Sequence, residues 1–437
     1  MKRFIDADLK AWATSPRRKP LIIRGARQVG KTWSVKQFGA GNFESFVSLD
    51  LERNPDLRRV FESALQAKRI IADLEILLSQ RIVPGKTLLF IDEIQACPRA
   101  ITALRYFLEE VPDLHVIAAG SLLEFAFSDI SFPVGRIQFL HLYPVSFAEY
   151  LAAVHHEEAA QTVLSAPKEV LPAVHDFLND ELRRYFFIGG MPESVKAYSE
   201  TGSMQDSFRV QAEIAEACRL DFSKYAPHAD KQCLSEVLTS SAQGVGGQTK
   251  YSKLADGFSG FMCKKAYTLL TLAGILRKIT SLDPSGLPLD SRASSKIFKT
   301  LMVDIGLMRH LTGMPTSLEF NAPNLLDIYR GSMAEQFAGQ EIAISQNGEL
   351  HYWARLAKSS TAEVDYCAVI DGAVVPVEVK NCSSGRLKSM HLFLETYPAS
   401  PKGIVLSTNP FRELPDERLQ FVPLYFAYSA TGGKGTL

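Results

Sequence analysis

Short, uninterrupted apolar runs alternate with helical periodicity along the first third of the chain. The runs lie at residues 21–23 and 88–91, and a third predicted strand lies at 113–121; a polar or glycine-rich segment follows each of the two runs. Continuous apolar runs of this length are typical of parallel strands that are buried on both faces. The pattern therefore predicts an α/β region built on a parallel sheet with flanking helices.

The pattern changes at about residue 151, where apolar residues recur at helical spacing with charges on the opposite face. A glycine-rich polar stretch at 243–252 then indicates a loop. Beyond it, two helical segments precede strands at 275–282 and KIFKTLMV, joined through Asp283-Pro-Ser-Gly286. Two helices followed by a two-stranded wing are the outline of a winged helix. Lys264 and Lys265 would lie on the helix that enters a major groove in DNA-binding relatives, although many winged helices bind protein or only pack.

The last region reads as a helix followed by strands. Asp371-Gly372 between two alternating apolar runs predicts a hairpin, and GIVLST and FVPLYFAY predict further strands. The second arm of the hairpin, VVPVEVK, carries Glu378 and Lys380 two residues apart, so both side chains leave the same face. A salt bridge would explain this pair, and so would a catalytic site.

Composition limits the alternatives. A chain of 437 residues is expected to form roughly two to four domains. Lys and Arg equal Asp and Glu at 48 each, so any nucleic-acid surface must be local. No apolar run approaches a membrane span, and the first residues lack a signal-peptide core. Six cysteines without metal-ligand spacing indicate reduced thiols. We expect a cytoplasmic protein with no membrane partner.

The segment LIIRGARQVGKTWSV fits the Walker A spacing and its strand–loop–helix setting. Its glycines allow backbone N–H groups to point at phosphate oxygens, and the following helix presents its positive end. Lys31 would reach the β- and γ-phosphates, and Thr32 would ligate Mg²⁺. The predicted nucleotide-binding residues here are Gly25, Ala26, Arg27, Gln28, Val29, Gly30, Lys31, Thr32 and Trp33.

The segment KTLLFIDEIQ resembles a Walker B element, because an acidic pair ends a buried strand. Asp92 would hold Mg²⁺ through water, and Glu93 would orient and deprotonate the attacking water. The second carboxylate favours hydrolysis over phosphoryl transfer to another substrate, which disfavours a small-molecule kinase.

The order GARQVGKT, LLFIDEIQ, VIAAGS and a Gly-Arg before LYPVSFAEY resembles AAA+-type ATPases of a large prokaryotic family. The resemblance implies an ATPase module, a winged-helix region and a nuclease-like end. In such ATPases Ser121 would sense the γ-phosphate, although it would equally serve as a helix N-cap. Arg136 would contact the γ-phosphate of its own or a neighbouring subunit, with a surface role left open.

The C-terminal pattern resembles the PD-(D/E)XK nuclease superfamily. An Asp on one strand, Glu-x-Lys on its partner and a Glu on a preceding helix correspond here to Asp365, Glu378, Lys380 and Glu335, with Glu363 as a spare carboxylate. Asp365 and Glu378 would bind Mg²⁺, and Glu335 would complete the metal shell. Lys380 would position the attacking water or stabilise charge on phosphorus. Val364 replaces the Pro of the motif.

These features together predict four domains: a P-loop ATPase at 1–152, a helical lid at 153–230, a winged helix at 231–322 and a PD-(D/E)XK-like domain at 323–437. The expected function is an ATP- and Mg²⁺-dependent ATPase that controls a DNA-binding, nuclease-like domain. The alternative is a nucleotide-driven switch whose C-terminal domain binds nucleic acid or a protein partner without cleaving. Homo-oligomerisation is left open.

Overall fold

The computed structural model describes residues 1–63, 65–121, 123, 135–222, 230–282, 284, 294–313, 331–355, 362–380 and 387–437, with backbone alone at 294–296. The chain divides into two compact units. The first, here called the N-terminal unit, comprises Lys2–Tyr143 with Leu272–Gly274. The second, the C-terminal unit, comprises Pro144–Thr271 and Ile275–Leu437, and Met1 groups with it.

The N-terminal unit is built on a five-stranded sheet in which every pairing is parallel, with strand order β2-β3-β4-β1-β5. The strands are β1 (Leu21–Arg24), β2 (Ser45–Asp50), β3 (Thr87–Asp92), β4 (His115–Ala119) and β5 (Gln138–His141). All six residues of β3 are buried, as its uninterrupted apolar run predicts. The predicted α/β class with a parallel sheet is confirmed for this unit.

The described part of this unit contains the helices α1 (Phe4–Thr14), α2 (Lys31–Asn42), α3 (Pro55–Ser63), α4 (Ala67–Leu78) and α5 (Pro98–Glu110). The crossover from β1 through a glycine-rich loop into α2 is the strand–loop–helix setting that the sequence predicts. A core cluster that includes Ile22, Leu89, Ile91 and Leu104 holds the sheet against α3, α4 and α5. The carboxyl ends of β1 and β3 are thereby fixed in one rigid layer.

The C-terminal unit begins with helices and ends with a sheet. Its helices are α6 (Phe147–Ala153), α7 (Glu157–Leu164), α8 (Pro172–Ile188), α9 (Pro192–Thr201), α10 (Met204–Leu220), α11 (Lys231–Gln243), α12 (Gly260–Leu272), α13 (Ile305–Leu311), α14 (Ser332–Ser345), α15 (Lys388–Thr396) and α16 (Ala427–Ala430). The segment predicted as a lid lies within this unit. Buried hydrogen bonds explain the grouping: Gln211 of α10 binds the carbonyl of Ile188 at 2.7 Å, and Arg309 of α13 binds Gln211 at 2.7 Å.

The C-terminal sheet has eight strands in the order β12-β13-β11-β10-β9-β8-β6-β7. They are β6 (Leu276–Ser281), β7 (Ser294–Met302), β8 (His351–Ala354), β9 (Glu363–Ile370), β10 (Ala373–Val379), β11 (Gly403–Ser407), β12 (Arg412–Leu414) and β13 (Leu419–Pro423). Asp371 and Gly372 both have positive φ and join antiparallel β9 and β10, which confirms the predicted hairpin.

The β6–β7 hairpin belongs to the same sheet as the C-terminal strands. Strand β6 pairs in parallel with β8 through Thr280 opposite His351 and Ser281 opposite Tyr352. The sequence assigns this hairpin to a winged helix that ends at residue 322. That boundary, and the Asp283–Gly286 turn apart from Pro284, lie outside the described residues, so the four-domain division stays a prediction.

The apolar segment near the C-terminus that the sequence predicts as a strand is a strand only in part. FVPLYFAY is a strand only to Pro423, after which Leu424–Phe426 forms a 3₁₀ turn that leads into α16. Within the described residues, none of the helices combines the length and the apolar character needed to span a membrane.

Candidate functional sites

The glycine-rich loop between β1 and α2 depends on a backbone that only glycine adopts easily. Gly25 has φ +145°, and a Cβ at this position would lie 2.3 Å from the carbonyl oxygen of Leu142. Gly30, at φ +97°, and Gln28, at φ +62°, also have positive φ. The loop therefore curls tightly around the first turn of α2, the arrangement that presents N–H groups to a phosphate.

Lys31 lies at the start of α2 with its ammonium group under the loop. Its Nζ donates to the carbonyl oxygens of Gly25 at 2.9 Å and Ala26 at 2.7 Å. Burial lowers the pKa of Lys31 to about 8, although the nearby Glu93 and Asp92 oppose that shift. Trp33 on the same turn is 47% exposed. The lysine is therefore placed for a phosphate group, and a phosphate would favour its charged form.

Strand β3 brings two carboxylates to the loop. The hydroxyl of Thr32 donates to Asp92 at 2.7 Å. Burial raises the pKa of Asp92, and the hydrogen bond from Thr32 opposes the shift. Glu93, in the left-handed region at φ +47°, leaves the strand directly after Asp92. A hydroxyl and a carboxylate at contact distance are hard oxygen donors, so Thr32 and Asp92 fit a magnesium ion.

Ser121 connects the loop to Glu93. The guanidinium of Arg27 donates to the Ser121 hydroxyl at 3.2 Å, and that hydroxyl donates to Glu93 at 3.4 Å. The amide of Gln95 also donates to Glu93. The helix that Ser121 would cap lies outside the described residues. Its predicted role in sensing phosphate stays a prediction, but its position beside Glu93 suits it.

The structure adds residues to this site that the sequence analysis missed. Arg3 is 4% exposed and donates to the carbonyl oxygens of Val29 at 3.2 Å and Tyr143 at 2.7 Å. It thereby fixes the loop from beneath. Asp50 ends β2 opposite Asp92 in the sheet register. The rule that found Asp92, an acid at the end of an apolar strand, would also have found Asp50, whereas nothing in the sequence near Arg3 indicates its role.

Arg136 lies on the surface of the N-terminal unit. Its side chain is 52% exposed, and its Nε lies 3.5 Å from a carboxylate oxygen of Glu109. An ion pair of two exposed side chains contributes little to stability. The role predicted for Arg136 at a γ-phosphate stays a prediction.

In the C-terminal unit, the structure brings Glu335, Asp365, Glu378 and Lys380 together, as predicted. Asp365 on β9 accepts a hydrogen bond from the N–H of Val379 at 2.9 Å. Lys380 directly follows β10, and its ammonium lies 2.9 Å from Glu378. The opposing charges therefore occupy one face, as the spacing in VVPVEVK indicates.

Helix α14 supplies the remaining acid of the cluster. The hydroxyl of Tyr366 donates to the backbone carbonyl of Glu335 at 2.8 Å and ties the helix to β9. Gln336 accepts from the N–H of Met302 at 3.0 Å and donates to its carbonyl at 2.8 Å, which ties the same turn to β7. The first turn of α14 is therefore held against both strands.

Lys299 of β7, which the sequence analysis did not single out, lies among these acids. Its Nζ is 2.5 Å from Glu363, 3.1 Å from Asp365 and 3.8 Å from Glu335. Its side chain is 2% exposed. The signal that drew attention to Glu378, a charge within a buried apolar strand, is also present at Lys299 in KIFKTLMV.

Burial and mutual repulsion change the acidity of this cluster. Burial, with Asp365 next in importance, raises the pKa of Glu335 to about 8 and that of Glu378 to about 7. Burial alone would lower the pKa of Lys299, but the carboxylates around it raise that pKa well above its ordinary value. Lys299 is therefore charged at every physiological pH.

The arrangement of these acids disagrees with the metal-binding role that the sequence predicts for them. Among the residues that the structure describes, no three His, Cys, Asp or Glu side chains are placed to hold a metal ion together. The donor set of Glu335, Asp365 and Glu378 suits Mg²⁺ chemically. The ammonium of Lys299 nevertheless occupies Oδ1 of Asp365, an oxygen that a metal would need. As it stands, the cluster does not fit a divalent ion.

Three family models match successive parts of the chain. Residues 17–151 match an AAA domain, residues 179–318 match a domain of unknown function, DUF8612, and residues 330–426 match another, DUF4143. The first match coincides with the sheet, loop and acidic pair described above. The N-terminal unit is therefore an AAA-type P-loop ATPase, and the chain is an enzyme that hydrolyses ATP.

Solved structures with similar chain traces are distant in sequence. The Walker-type ATPase PABY2304 of Pyrococcus abyssi has a TM-score of 0.44 at 14% identity, covering 70% of this chain and 94% of its own. The Aeropyrum pernix Orc1 protein in complex with DNA has 0.30 at 11%, covering 72% and 91%. The Thermotoga maritima RuvB Holliday junction branch migration motor has 0.28 at 15%, covering 63% and 87%. These scores are too low to establish a shared fold. No curated protein matches the chain.

Proposed function

We propose that the chain is an ATPase whose nucleotide state controls a DNA-binding, nuclease-like C-terminal region. The observation that carries this proposal is the placement of Asp365 on β9 and Glu378 on β10, with Lys380 directly after β10 and Glu335 on the preceding helix. Buried acids and a lysine at one face of a mixed sheet suit phosphodiester chemistry. ATP and Mg²⁺ are the proposed cofactors at Lys31, Thr32 and Asp92.

A winged helix is the proposed DNA-binding element. Helices α11 and α12 flank a 3₁₀ turn at Tyr251–Lys253, and the β6–β7 hairpin follows α12. Thr249, between the helices, forms a β-bridge with Phe298 of the hairpin. This order and the added bridge are typical of winged helices. Lys264 and Lys265 are exposed on α12 and would contact phosphate groups.

Lys299 favours the second candidate function, a nucleotide-driven switch whose C-terminal region binds without cleaving. A cleaving site needs its acids for metal ions, whereas two of the acids here are already paired with an internal ammonium, at 2.5 Å and 3.1 Å. In this case ATP hydrolysis would change the affinity for DNA or for a protein partner.

Cleavage of supercoiled and linear DNA distinguishes the two. The wild type and Lys380→Ala are incubated with Mg²⁺ or Mn²⁺, with and without ATP. If the region cleaves, we expect metal-dependent nicking that falls by about 100-fold or more in the variant, because the ammonium near the reacting phosphate is lost. Lys402→Ala, which removes a lysine that binds Gln420 elsewhere on the sheet, is the matched control. Absence of nicking under every condition, with ATP hydrolysis intact, would favour the second candidate function, the nucleotide-driven switch.

A further inference from the structure

We propose that Lys299 is the resident cation of the carboxylate cluster formed by Glu335, Glu363, Asp365 and Glu378, in the place where a divalent metal ion would otherwise bind. The inference deepens the second candidate function, the switch whose C-terminal region binds without cleaving, and it rests on that function for the role of the cluster. It goes beyond that function because it concerns which cation the four carboxylates bind. Lys299 would then determine the cation preference of the site.

The contacts of Lys299 resemble those of a bound cation more than those of a surface ion pair. One ammonium lies 2.5 Å and 3.1 Å from oxygens of Glu363 and Asp365, which stand two residues apart on β9, and 3.8 Å from Glu335 on α14. With a side chain only 2% exposed, it has little access to water. Carboxylates from two elements thus converge on one buried positive charge.

Among the described residues, Lys299 leaves some carboxylate oxygens of the cluster without a hydrogen-bond donor. Four carboxylates face two ammonium groups, those of Lys299 and Lys380. Glu378 is only 5% exposed, yet within the described part of the chain its Oε2 has no hydrogen-bond partner. The Oε2 of Glu335, 3.8 Å from the Lys299 ammonium, likewise accepts no hydrogen bond there. Buried carboxylate oxygens without donors favour a bound cation, since leaving them unpaired is costly.

A divalent ion and Lys299 would compete for the same oxygens. A metal ion bound between Asp365 and Glu335 would lie within a few ångströms of the ammonium, where two positive charges repel strongly in a protein interior. Removing the ammonium leaves four carboxylates around Lys380 alone. The neutral variant should therefore bind a divalent ion that the wild type excludes or binds weakly.

Mn²⁺ binding to the full-length chain, without nucleotide or DNA, tests this inference. Free Mn²⁺ is followed by electron paramagnetic resonance for the wild type, Lys299→Met and the control Lys278→Met. Lys278 lies on the neighbouring strand β6, with its ammonium over the rings of Tyr251 and Phe298. We expect Lys299→Met to bind one Mn²⁺ more than the other two, or the same ion on the order of tenfold tighter or more.

Thermal unfolding gives a second readout. Mn²⁺ should raise the unfolding midpoint of Lys299→Met by more than that of the wild type or Lys278→Met, because a ligand stabilises the folded state in proportion to how tightly that state binds it. If Lys299→Met fails to fold without metal, Lys299→Met/Glu363→Gln keeps the charge balance of the cluster and should still bind the extra Mn²⁺. Equal Mn²⁺ binding by the wild type and these variants would overturn the inference. Absence of DNA cleavage would count against the nuclease function alone, whereas metal-dependent cleavage by the wild type would count against this inference.

Discussion

Glu93 is the residue on which we expect ATP hydrolysis to depend. It leaves β3 directly after Asp92 and accepts a hydrogen bond from Ser121. Glu93→Gln keeps the shape of the side chain but removes the base, so we expect hydrolysis to fall by about 100-fold or more. ATP affinity should stay within about threefold of the wild type, since uniform binding is unaffected. Single-turnover hydrolysis and equilibrium binding of a fluorescent ATP analogue measure the two effects.

Lys31→Ala is the matched comparison in the same site. The lysine lies 7% exposed under the phosphate-binding loop, and its removal should abolish nucleotide binding itself. The two variants therefore fail at different steps. ATP bound by Lys31→Ala with wild-type affinity would contradict the assignment of the loop, and wild-type turnover by Glu93→Gln would contradict the role of the acid.

Single residues were predictable where the signal is local. A glycine pattern found the phosphate-binding loop, and charges within an apolar strand found Glu378 and Lys380. Lys299 carries the same kind of signal, yet it gains meaning only beside acids that lie far along the chain, at 335, 363 and 365. No local pattern pairs a lysine with such distant carboxylates, because β7 and β9 are not even neighbours in the sheet and only the packing of their side chains brings these charges together.

Helix α14 contains a buried acid that should make stability depend on pH. Glu341 is 2% exposed and accepts a hydrogen bond from the N–H of Phe147 at 3.0 Å. Burial raises its pKa from an ordinary 4.5 to about 8. Between these two values the folded state keeps a proton that the unfolded state releases. The free energy of unfolding should therefore fall as the pH rises from about 4.5 through about 8.

Glu341→Gln should remove this dependence, because the amide stays neutral and still accepts the hydrogen bond. We expect the variant to be more stable than the wild type at pH 8 by roughly 1–3 kcal/mol, and close to it at pH 5. Urea-induced unfolding followed by circular dichroism at both pH values measures the difference. Glu200→Gln, on the exposed face of α9, is the control. Parallel pH curves for the wild type and Glu341→Gln would contradict the prediction.

Secondary structure followed the sequence wherever a single periodicity governs the segment. The buried run of β3 and the Asp371-Gly372 turn are examples. FVPLYFAY was predicted wrongly beyond Pro423, since an apolar run cannot distinguish a buried strand from a buried helical turn. Residues 424–428 are buried here, as they would also be in a strand, so their hydrophobicity gave no information on the conformation of their backbone.

At the scale of the whole molecule, we expect α12 to supply part of the affinity for DNA. Lys264→Ala/Lys265→Ala should weaken DNA binding at low salt. It should also reduce the slope of log affinity against log salt by about 2, because each lysine would displace counterions from one phosphate. Fluorescence anisotropy with labelled duplex DNA at several salt concentrations measures both quantities.

The control for this prediction is Lys196→Ala, which removes an exposed lysine from α9. It should leave the salt slope unchanged. If Lys264→Ala/Lys265→Ala and the wild type show the same affinity and slope, α12 does not contact DNA. A protein partner would then become the expected ligand of this helix.

The division of the chain into functional regions was only partly predictable from the sequence. Composition and motif order predicted several functional regions, and the AAA-type ATPase region is confirmed by the match at 17–151. The sequence did not show that the β6–β7 hairpin shares a sheet with β8 to β13. Pairing between β6 and β8 joins strands about 70 residues apart. No short-range sequence pattern indicates which of two such distant strands will pair.

The sequence by itself determined the ATP site, because a P-loop is a local object: its glycines, lysine, threonine and adjoining helix follow one another along the chain. It also determined that acids and a lysine lie at the C-terminal hairpin. Only the tertiary structure decided that Lys299 neutralises those acids, and that Arg3 supports the loop. Both contacts join residues that are far apart along the chain. The residue types alone do not determine them, because a buried charge finds its partner only in the packed tertiary structure.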